Sequence, residues 1–433
     1  MLFGTQRING AGHLEVGGVD ALELAERFGT PLYVMDEQGI RERCREYLRT
    51  FRRWGKPPSV AYASKAFWCR AMAALVAEEG LQVDVASVGE LEVALAGGVP
   101  PDSVTFHGNY KKEEELSEAL EAGVGIVAVD SVDELRSLSR LACDYRRRQR
   151  VILRVAPGID AHTLDTISTG RNDTKFGITI ENGAALAAVR ETLGLPGIEL
   201  MGLHSHIGSQ IQSLAPYELL VEKLMDSCQV VFRETGWMPD VLSFGGGLAI
   251  RYLEEDTAPP IADLAKVLGE SIHGAAAARG LKVPQISVEP GRSIVGDLGL
   301  TLYTLGPIKT VPAAEGGTRT YATVDGGLSD NPRPLMYGAR YQALLAARAS
   351  ETPDTTVRVV GRHCETDALF DAALPGPRSG DVLAVLCTGA YNHVMASNYN
   401  FFCRPPVVFV SHGHARLVVR RETNEDLLRR DVV

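Results

Sequence analysis

Three groups of residues in this chain could do chemistry together. They are a lysine in the apolar setting AYASKAF (Lys65), the glycine-containing segments SFGGGLA (Gly245, Gly246, Gly247) and EPGRS (Glu289, Gly291, Arg292), and two histidines one residue apart in HSHIGSQ (His204, His206). A lysine partly withdrawn from water has a lowered pKa and can form an imine with a carbonyl. Taken alone, such a lysine more often carries its head out to solvent. The glycine segments offer backbone N–H groups to an anion, although three glycines can equally be a tight turn. Two such segments at neighbouring strand ends favour phosphate. A carboxylate beside that phosphate and opposite an imine-forming lysine suggests pyridoxal phosphate, because a carboxylate at the pyridine nitrogen keeps the ring protonated and a better electron sink. The bland alternative for Glu289 is a salt bridge to Arg292.

The histidines allow two readings. Residues two apart on a strand point to one side, so His204 and His206 could grip a metal if Asp84, Asp130 or His107 joined them. Metal-dependent barrel hydrolases usually carry such a pair on the first strand, where this chain has Lys65. With a cofactor ring held between Lys65 and Glu289, the more economical role is for His206 to lie flat against the ring. His204, one step deeper, then reads as a hydrogen-bonded core histidine.

The elements that must position these groups begin near residue 59. Apolar runs alternate with helical patterns: PSVAYASK, LQVDVAS, DSVTFHGN, GIVAVDS, QRVILRVAPG, GIELMGLHSHIGSQ, DVLSFGGGL and QISVEPGRS. Ser131 and Glu134 are spaced as a capping box for the helix after the fourth run, and a polar insertion occupies 159–178. Eight strands, the first seven each followed by a helix, predict a closed (β/α)8 barrel rather than a doubly wound sheet, and no GxGxxG follows the first strand. Active sites of such barrels lie at the carboxyl ends of the strands, where phosphate is often held after strands seven and eight. Beyond residue 296 β-branched runs with turn residues predict a β-rich domain. The expected division is a barrel over 37–296 and a β-rich domain from 297–433, joined by 1–36 with its strand TPLYVMD.

The chain has 433 residues, 45% hydrophobic and 23% charged, which suits a globular protein of two domains. A net charge of −10 without a basic run argues against nucleic-acid binding. No apolar run reaches membrane-spanning length and no signal pattern opens the chain. Seven scattered cysteines without CxxC spacing favour reduced thiols and a cytoplasmic protein.

The ordered set YASKAF, VDVASVGEL, HGN, KFG, HSHIGSQ, FGGGL, EPGR, NPRPLMYGARY, GRHCE and TGAYNHVMASNYN resembles the diaminopimelate decarboxylases. These are pyridoxal-phosphate enzymes of the alanine-racemase-like group, and the resemblance spans roughly residues 30 to 410. It implies decarboxylation of meso-2,6-diaminopimelate to L-lysine and carbon dioxide, the last step of lysine biosynthesis. By this resemblance Lys65 holds the cofactor as an imine, and His206 stacks on its ring with Ser209 nearby. Gly245, Gly246, Gly247, Glu289, Gly291, Arg292 and Tyr391 contact the cofactor. Arg292, Arg333, Tyr337, Glu365 and Tyr391 grip the substrate, and Cys364 returns a proton to carbon. In the family the Cys-Glu pair reaches in from the neighbouring subunit, which implies a homodimer with shared sites. An Arg333–Glu365 pair would match the zwitterionic far end of diaminopimelate, unless the two merely pair with each other.

Where the family commonly reads CESGD, this chain reads CETDA (364–368), a change expected to retune the pocket near the substrate's distal amine. HGNYK in place of HGNNK, and Phe67 where asparagine is frequent, should touch loop packing. A relative acting on lysine, ornithine, arginine, carboxynorspermidine or a carrier-bound glutamyl group is therefore the alternative enzyme. From other classes, a metal-dependent barrel hydrolase and a non-catalytic pyridoxal-phosphate carrier stay open, as does a racemase, although that group usually presents arginine to the ring nitrogen.

Overall fold

The computed structural model describes residues 1–55, 59–159, 173–314 and 316–432. The chain forms two compact units: Arg43–Ile250 with Thr257–Ser293, and Met1–Glu42 with Arg251–Asp256 and Ile294–Val433. A short stretch after the glycine loop thus belongs with the second unit. Of the polar insertion, residues 160–172 lie outside the described residues.

The first unit is the expected barrel. Its strands are β1 (Ser59–Ala63), β2 (Gln82–Val85), β3 (Val104–Phe106), β4 (Ile126–Val129), β5 (Gln149–Ala156), β6 (Ile198–His204), β7 (Val241–Ser243) and β8 (Gln285–Val288). All pair in parallel, and the ring closes through Ser287 opposite Ser59 and Val288 opposite Val60. The strands are short apolar runs buried almost throughout, as a parallel sheet covered on both faces requires. Helices α1 (Arg70–Glu78), α2 (Val88–Ala96), α3 (Glu113–Ala122), α4 (Val132–Asp144), α5 (Ala184–Gly194), α6 (Ala215–Thr235) and α7 (Ile261–Arg279) follow the first seven strands.

Helix α1 begins later than its apolar pattern suggests, because Ser64–Ala66 forms a separate 3₁₀ turn that carries Lys65. The capping box is half realised. Ser131 accepts from the Glu134 N–H, but the Glu134 carboxylate turns to Lys111 Nζ at 2.6 Å instead of back to the cap. Lys111 also donates to the carbonyls of Gly108 and Ala128, which ties down the loop after β3. A buried ammonium needs those partners more than the helix start needs a second cap.

The second unit is β-rich, and its spine is the long strand Gly299–Pro312. The N-terminal strand Leu32–Asp36 pairs with that spine antiparallel and with Val407–Ser411 in parallel, so TPLYVMD joins this unit as expected. The far half of the spine pairs with Thr318–Val324, which extends through Thr355–Val360 to Ala368–Leu374.

Inside this unit Asp330 is 2% exposed and accepts from the Tyr303 hydroxyl and from the Gly327 N–H at 2.9 Å. Burial pushes its pKa up to about 7. Between the ordinary carboxylate pKa and that value, the folded protein holds a proton that the unfolded chain has released. The stability contributed below pH 4 is therefore lost as pH rises toward 7, by about a few kcal/mol. Asp330→Asn should remove this dependence. Its melting temperature relative to the parent is expected to rise as pH goes from about 4 to about 7 and to level off above that; a difference independent of pH would refute the assignment.

Candidate active site

At the carboxyl end of the barrel, three loops meet around Glu289. The glycine loop after β7 is forced to be glycine by close approach of its neighbours. A Cβ on Gly245 would lie 2.8 Å from the His206 Cβ and Nδ1, one on Gly246 would lie 2.3 Å from the Glu289 carbonyl oxygen, and one on Gly247 would lie 2.4 Å from the Gly208 carbonyl oxygen. Gly245 and Gly247 also have φ of +62° and +108°. The three glycine carbonyls are engaged by the protein. Gly245 accepts from the Glu289 N–H, Gly246 from the Tyr217 hydroxyl, and Gly247 from the Ile211 N–H. The oxygens that would repel an anion are thereby satisfied by protein donors.

The loop after β8 packs on the turn that carries Lys65. Ala63 N–H donates to the Pro290 carbonyl at 3.0 Å, and a Cβ on Gly291 would meet Ala66 and Ala63 at 2.9 and 3.1 Å. The Lys65 side chain is solvent-accessible in that turn. Arg292 is buried and donates through Nη2 and Nε to Ser209 Oγ at 2.9 and 3.3 Å, which joins two of the expected cofactor-binding residues. Phe67, the departure beside Lys65, is a core residue whose carbonyl accepts from Tyr62, whereas Tyr110 points outward.

Glu289 is the centre of a polar cluster. Its Oε2 faces His204 Nε2 at 2.9 Å, its Oε1 accepts from Ser243 Oγ at 2.8 Å, and His107 Nε2 lies 3.5 Å from Oε1 and 3.8 Å from Asp84. Burial pushes the Glu289 pKa upward, but His204 and His107 outweigh it and hold the group well below the ordinary carboxylate range. Burial lowers the His204 pKa, while the facing Glu289 carboxylate pulls it up. Burial and the charges of Lys65, Arg154 and His204 push His206 well below its ordinary value as well. His206 therefore offers an uncharged ring face beside Gly245.

The paired histidines of the motif thus part company. Among the described residues the group able to hold a metal is His107, His204 and Glu289, whose ligand atoms lie within 4.8 Å of one another, and His206 is not in it. His204 and Glu289 already satisfy each other directly. Sequence reasoning named His107 as a strand end that could join a metal site, not as a neighbour of Glu289, and gave Ser243 no role. It also missed Glu90, whose carboxylate accepts from the Ala86 N–H and feels the charge of Lys65, with burial raising its pKa.

In the β-rich unit the remaining expected residues fall into two groups. Cys364 and Glu365 are exposed on one loop, where the Cys364 N–H donates to Asn400 and Glu365 accepts from the Tyr399 hydroxyl at 2.6 Å. Arg333 is buried at the start of the helix Arg333–Tyr337, with Tyr252 and Tyr341 as its partners. Arg333 and Glu365 therefore do not spend their charges on each other. Tyr337 and Tyr391 are both part-exposed, and Tyr391 has φ +62°. Asp367, the departure in CETDA, is fully buried with φ +42°; its carboxylate holds His363 Nδ1 at 2.5 Å and the N–H groups of Leu328 and His363. Its charge anchors the loop from below and does not reach toward a ligand.

The residues of the barrel fit pyridoxal phosphate. A carboxylate offers about four lone-pair positions, and the hydrogen bonds from His204 and Ser243 occupy two of Glu289's, which leaves capacity for a ring N–H. The satisfied glycine loop with Arg292 and Ser209 suits a phosphate.

Comparison with known proteins agrees. Residues 37–296 match the pyridoxal-dependent decarboxylase family, in its pyridoxal-binding domain. A diaminopimelate decarboxylase of Halalkalibacterium halodurans is 46% identical over 99% of this chain and 97% of its own. That of Bacillus subtilis is 46% identical over 100% of this chain and 98% of its own. Among solved structures, a diaminopimelate decarboxylase of M. jannaschii in complex with L-lysine superposes with a TM-score of 0.92, at 34% identity, over 100% of this chain and 99% of that one. The chain belongs to the pyridoxal-dependent decarboxylases, within their diaminopimelate decarboxylase family.

Proposed function

We propose that the chain decarboxylates meso-2,6-diaminopimelate to L-lysine and carbon dioxide, with Lys65, His206, Glu289 and Cys364 as its catalytic residues. The observation that carries this reading is Glu289, a buried carboxylate kept anionic and pinned by His204 and Ser243 at the end of β8. Pyridoxal phosphate, when bound, supplies a ring that draws off the electron pair left when carbon dioxide departs. Lys65 would hold the cofactor through its side-chain amine. Glu289 would keep a proton on the ring nitrogen, and His206, held well below its ordinary pKa, would pack on the ring without opposing that positive charge. Gly245, Gly246, Gly247, Gly291, Arg292 and Ser209 receive the phosphate, with Tyr391 as a further contact.

Arg333, Tyr337, Arg292, Tyr391 and Glu365 grip the substrate in this reading. A buried guanidinium without an acidic partner among the described residues favours a ligand carboxylate, and an exposed carboxylate favours a ligand ammonium. Cys364 delivers the proton that replaces the lost carboxylate. The exposure of Cys364 and Glu365 beside Tyr399 and the 68%-exposed Phe401 supports a homodimer in which this loop serves the neighbouring copy. No helix among the described residues is long and apolar enough to cross a membrane.

Mixing two inactive variants tests the shared site. Lys65→Ala and Cys364→Ala should each lose nearly all activity. After dissociation and random reassociation, about a quarter of parental activity is expected, because half the dimers are mixed and each mixed dimer has one intact site. Recovery of no activity, with exchange confirmed by mass, would place both residues in the same subunit's site.

A further inference from the structure

Arg333 is 7% exposed, and its partners among the described residues are aromatic. Its Nη1 donates to Tyr252 Oη at 3.1 Å and to Tyr341 Oη at 2.6 Å. The guanidinium carbon lies 5.1 and 5.7 Å from the centres of those two rings. The rings themselves meet edge to face, 5.6 Å apart at 81°. Tyr341 Oη lies 3.4 Å from the side-chain amide of the fully buried Asn392, which fixes the phenol from behind.

Burying a guanidinium is costly unless it is compensated, and phenol oxygens and ring faces compensate it only in part. Nη1 has two N–H bonds, and the two phenols take both. The edge formed by Nε and Nη2 is left over, and that edge carries the parallel pair of N–H bonds that fits a carboxylate. Tyr252 comes from the short stretch Arg251–Asp256, which leaves the glycine loop in sequence but packs within the β-rich unit.

We propose that Tyr252 and Tyr341 are positioning residues that turn the Nε–Nη2 edge of Arg333 toward the carboxylate at the distal end of the substrate. Through Arg333 they set the preference for a ligand that ends in an α-amino acid over one that ends in a plain amine. The proposal rests on the reading of Arg333 as a substrate-gripping residue.

Two probes separate the ideas without requiring turnover: L-lysine, which keeps an α-carboxylate, and cadaverine, the same chain without one. Each is titrated into holoenzyme and followed through the cofactor's visible absorbance, for the parent, Tyr252→Phe, Tyr341→Phe, the double variant and Arg333→Ala. The phenylalanine variants keep the rings and the cation–π contacts, and their melting curves report folding. Each loses one hydrogen bond to a charged group, so L-lysine should bind about tenfold more weakly in each single variant and more weakly still in the double variant. Cadaverine affinity should stay within about twofold of the parent's. Equal weakening of both probes, or unchanged preference for L-lysine in the double variant while Arg333→Ala loses it, would overturn the positioning role. A parent that binds both probes equally would overturn the reading of Arg333 itself.

Discussion

Lys65→Ala is expected to lower kcat roughly 10⁴-fold, the scale of losing a group that acts directly on the reacting atoms, and to abolish the visible absorbance of a covalently held cofactor. The protein should nevertheless melt close to the parent. Lys65 is an exposed residue of the turn Ser64–Ala66, while its neighbours Ser64, Ala66 and Phe67 are buried and hold the turn. Truncation therefore removes chemistry rather than packing, and surface changes of this kind usually move stability by less than about 0.5 kcal/mol. Removing its charge should also let His206 protonate more easily, because Lys65 is one cause of that ring's lowered pKa. Absorbance and turnover, read beside a melting curve, check the expectation. A variant that keeps its colour and turns over would remove Lys65 from the mechanism.

Glu289→Gln is expected to lower kcat by about 10²- to 10³-fold, the scale seen when one preorganised electrostatic group is lost. The fold should tolerate it. The amide oxygen can still accept from Ser243, and its NH₂ then faces His204 Nε2. That contact becomes favourable if His204 moves its proton to Nδ1, a buried atom without a hydrogen-bond partner. What disappears is the negative charge that keeps a proton on the cofactor's ring nitrogen. Glu289→Ala, by contrast, would leave Ser243 and His204 without the partner they share and cost stability as well. Because Glu289 is held well below the ordinary carboxylate range, the parent's rate should show no limb from this group above pH 5. A Glu289→Gln enzyme within threefold of the parent would contradict the role.

Much of the architecture was legible in the residues. Short apolar runs bounded by turn residues marked the barrel strands, and the residue just past each run marked the rim where chemistry collects. Lys65, His206 and Glu289 are proposed on that ground. Their partners were not legible, because closing the ring brings β3, β6, β7 and β8 together across long stretches of chain. His107, His204 and Ser243 converge on Glu289 only in three dimensions, and the motifs HGN and SFGGGLA that contain His107 and Ser243 do not say what those side chains touch. Tyr252 is 81 residues from Arg333 and sits in a stretch that changes unit after the glycine loop, which periodicity cannot reveal. Glu134 shows the converse error. Its spacing from Ser131 predicts a reciprocal cap, yet the buried Lys111 claims its carboxylate. CETDA was expected to retune the pocket near the distal amine, but Asp367, with a left-handed backbone, is buried against His363.

The most direct test is to give the holoenzyme carboxyl-labelled meso-diaminopimelate and to measure labelled carbon dioxide and lysine together, with L-lysine, ornithine and arginine offered in parallel. Equal amounts of carbon dioxide and L-lysine from diaminopimelate, and little release from the other three, are the predicted result. Carbon dioxide from one of those three but none from diaminopimelate would contradict the account, and the loop anchored by Asp367 would be the first place to look.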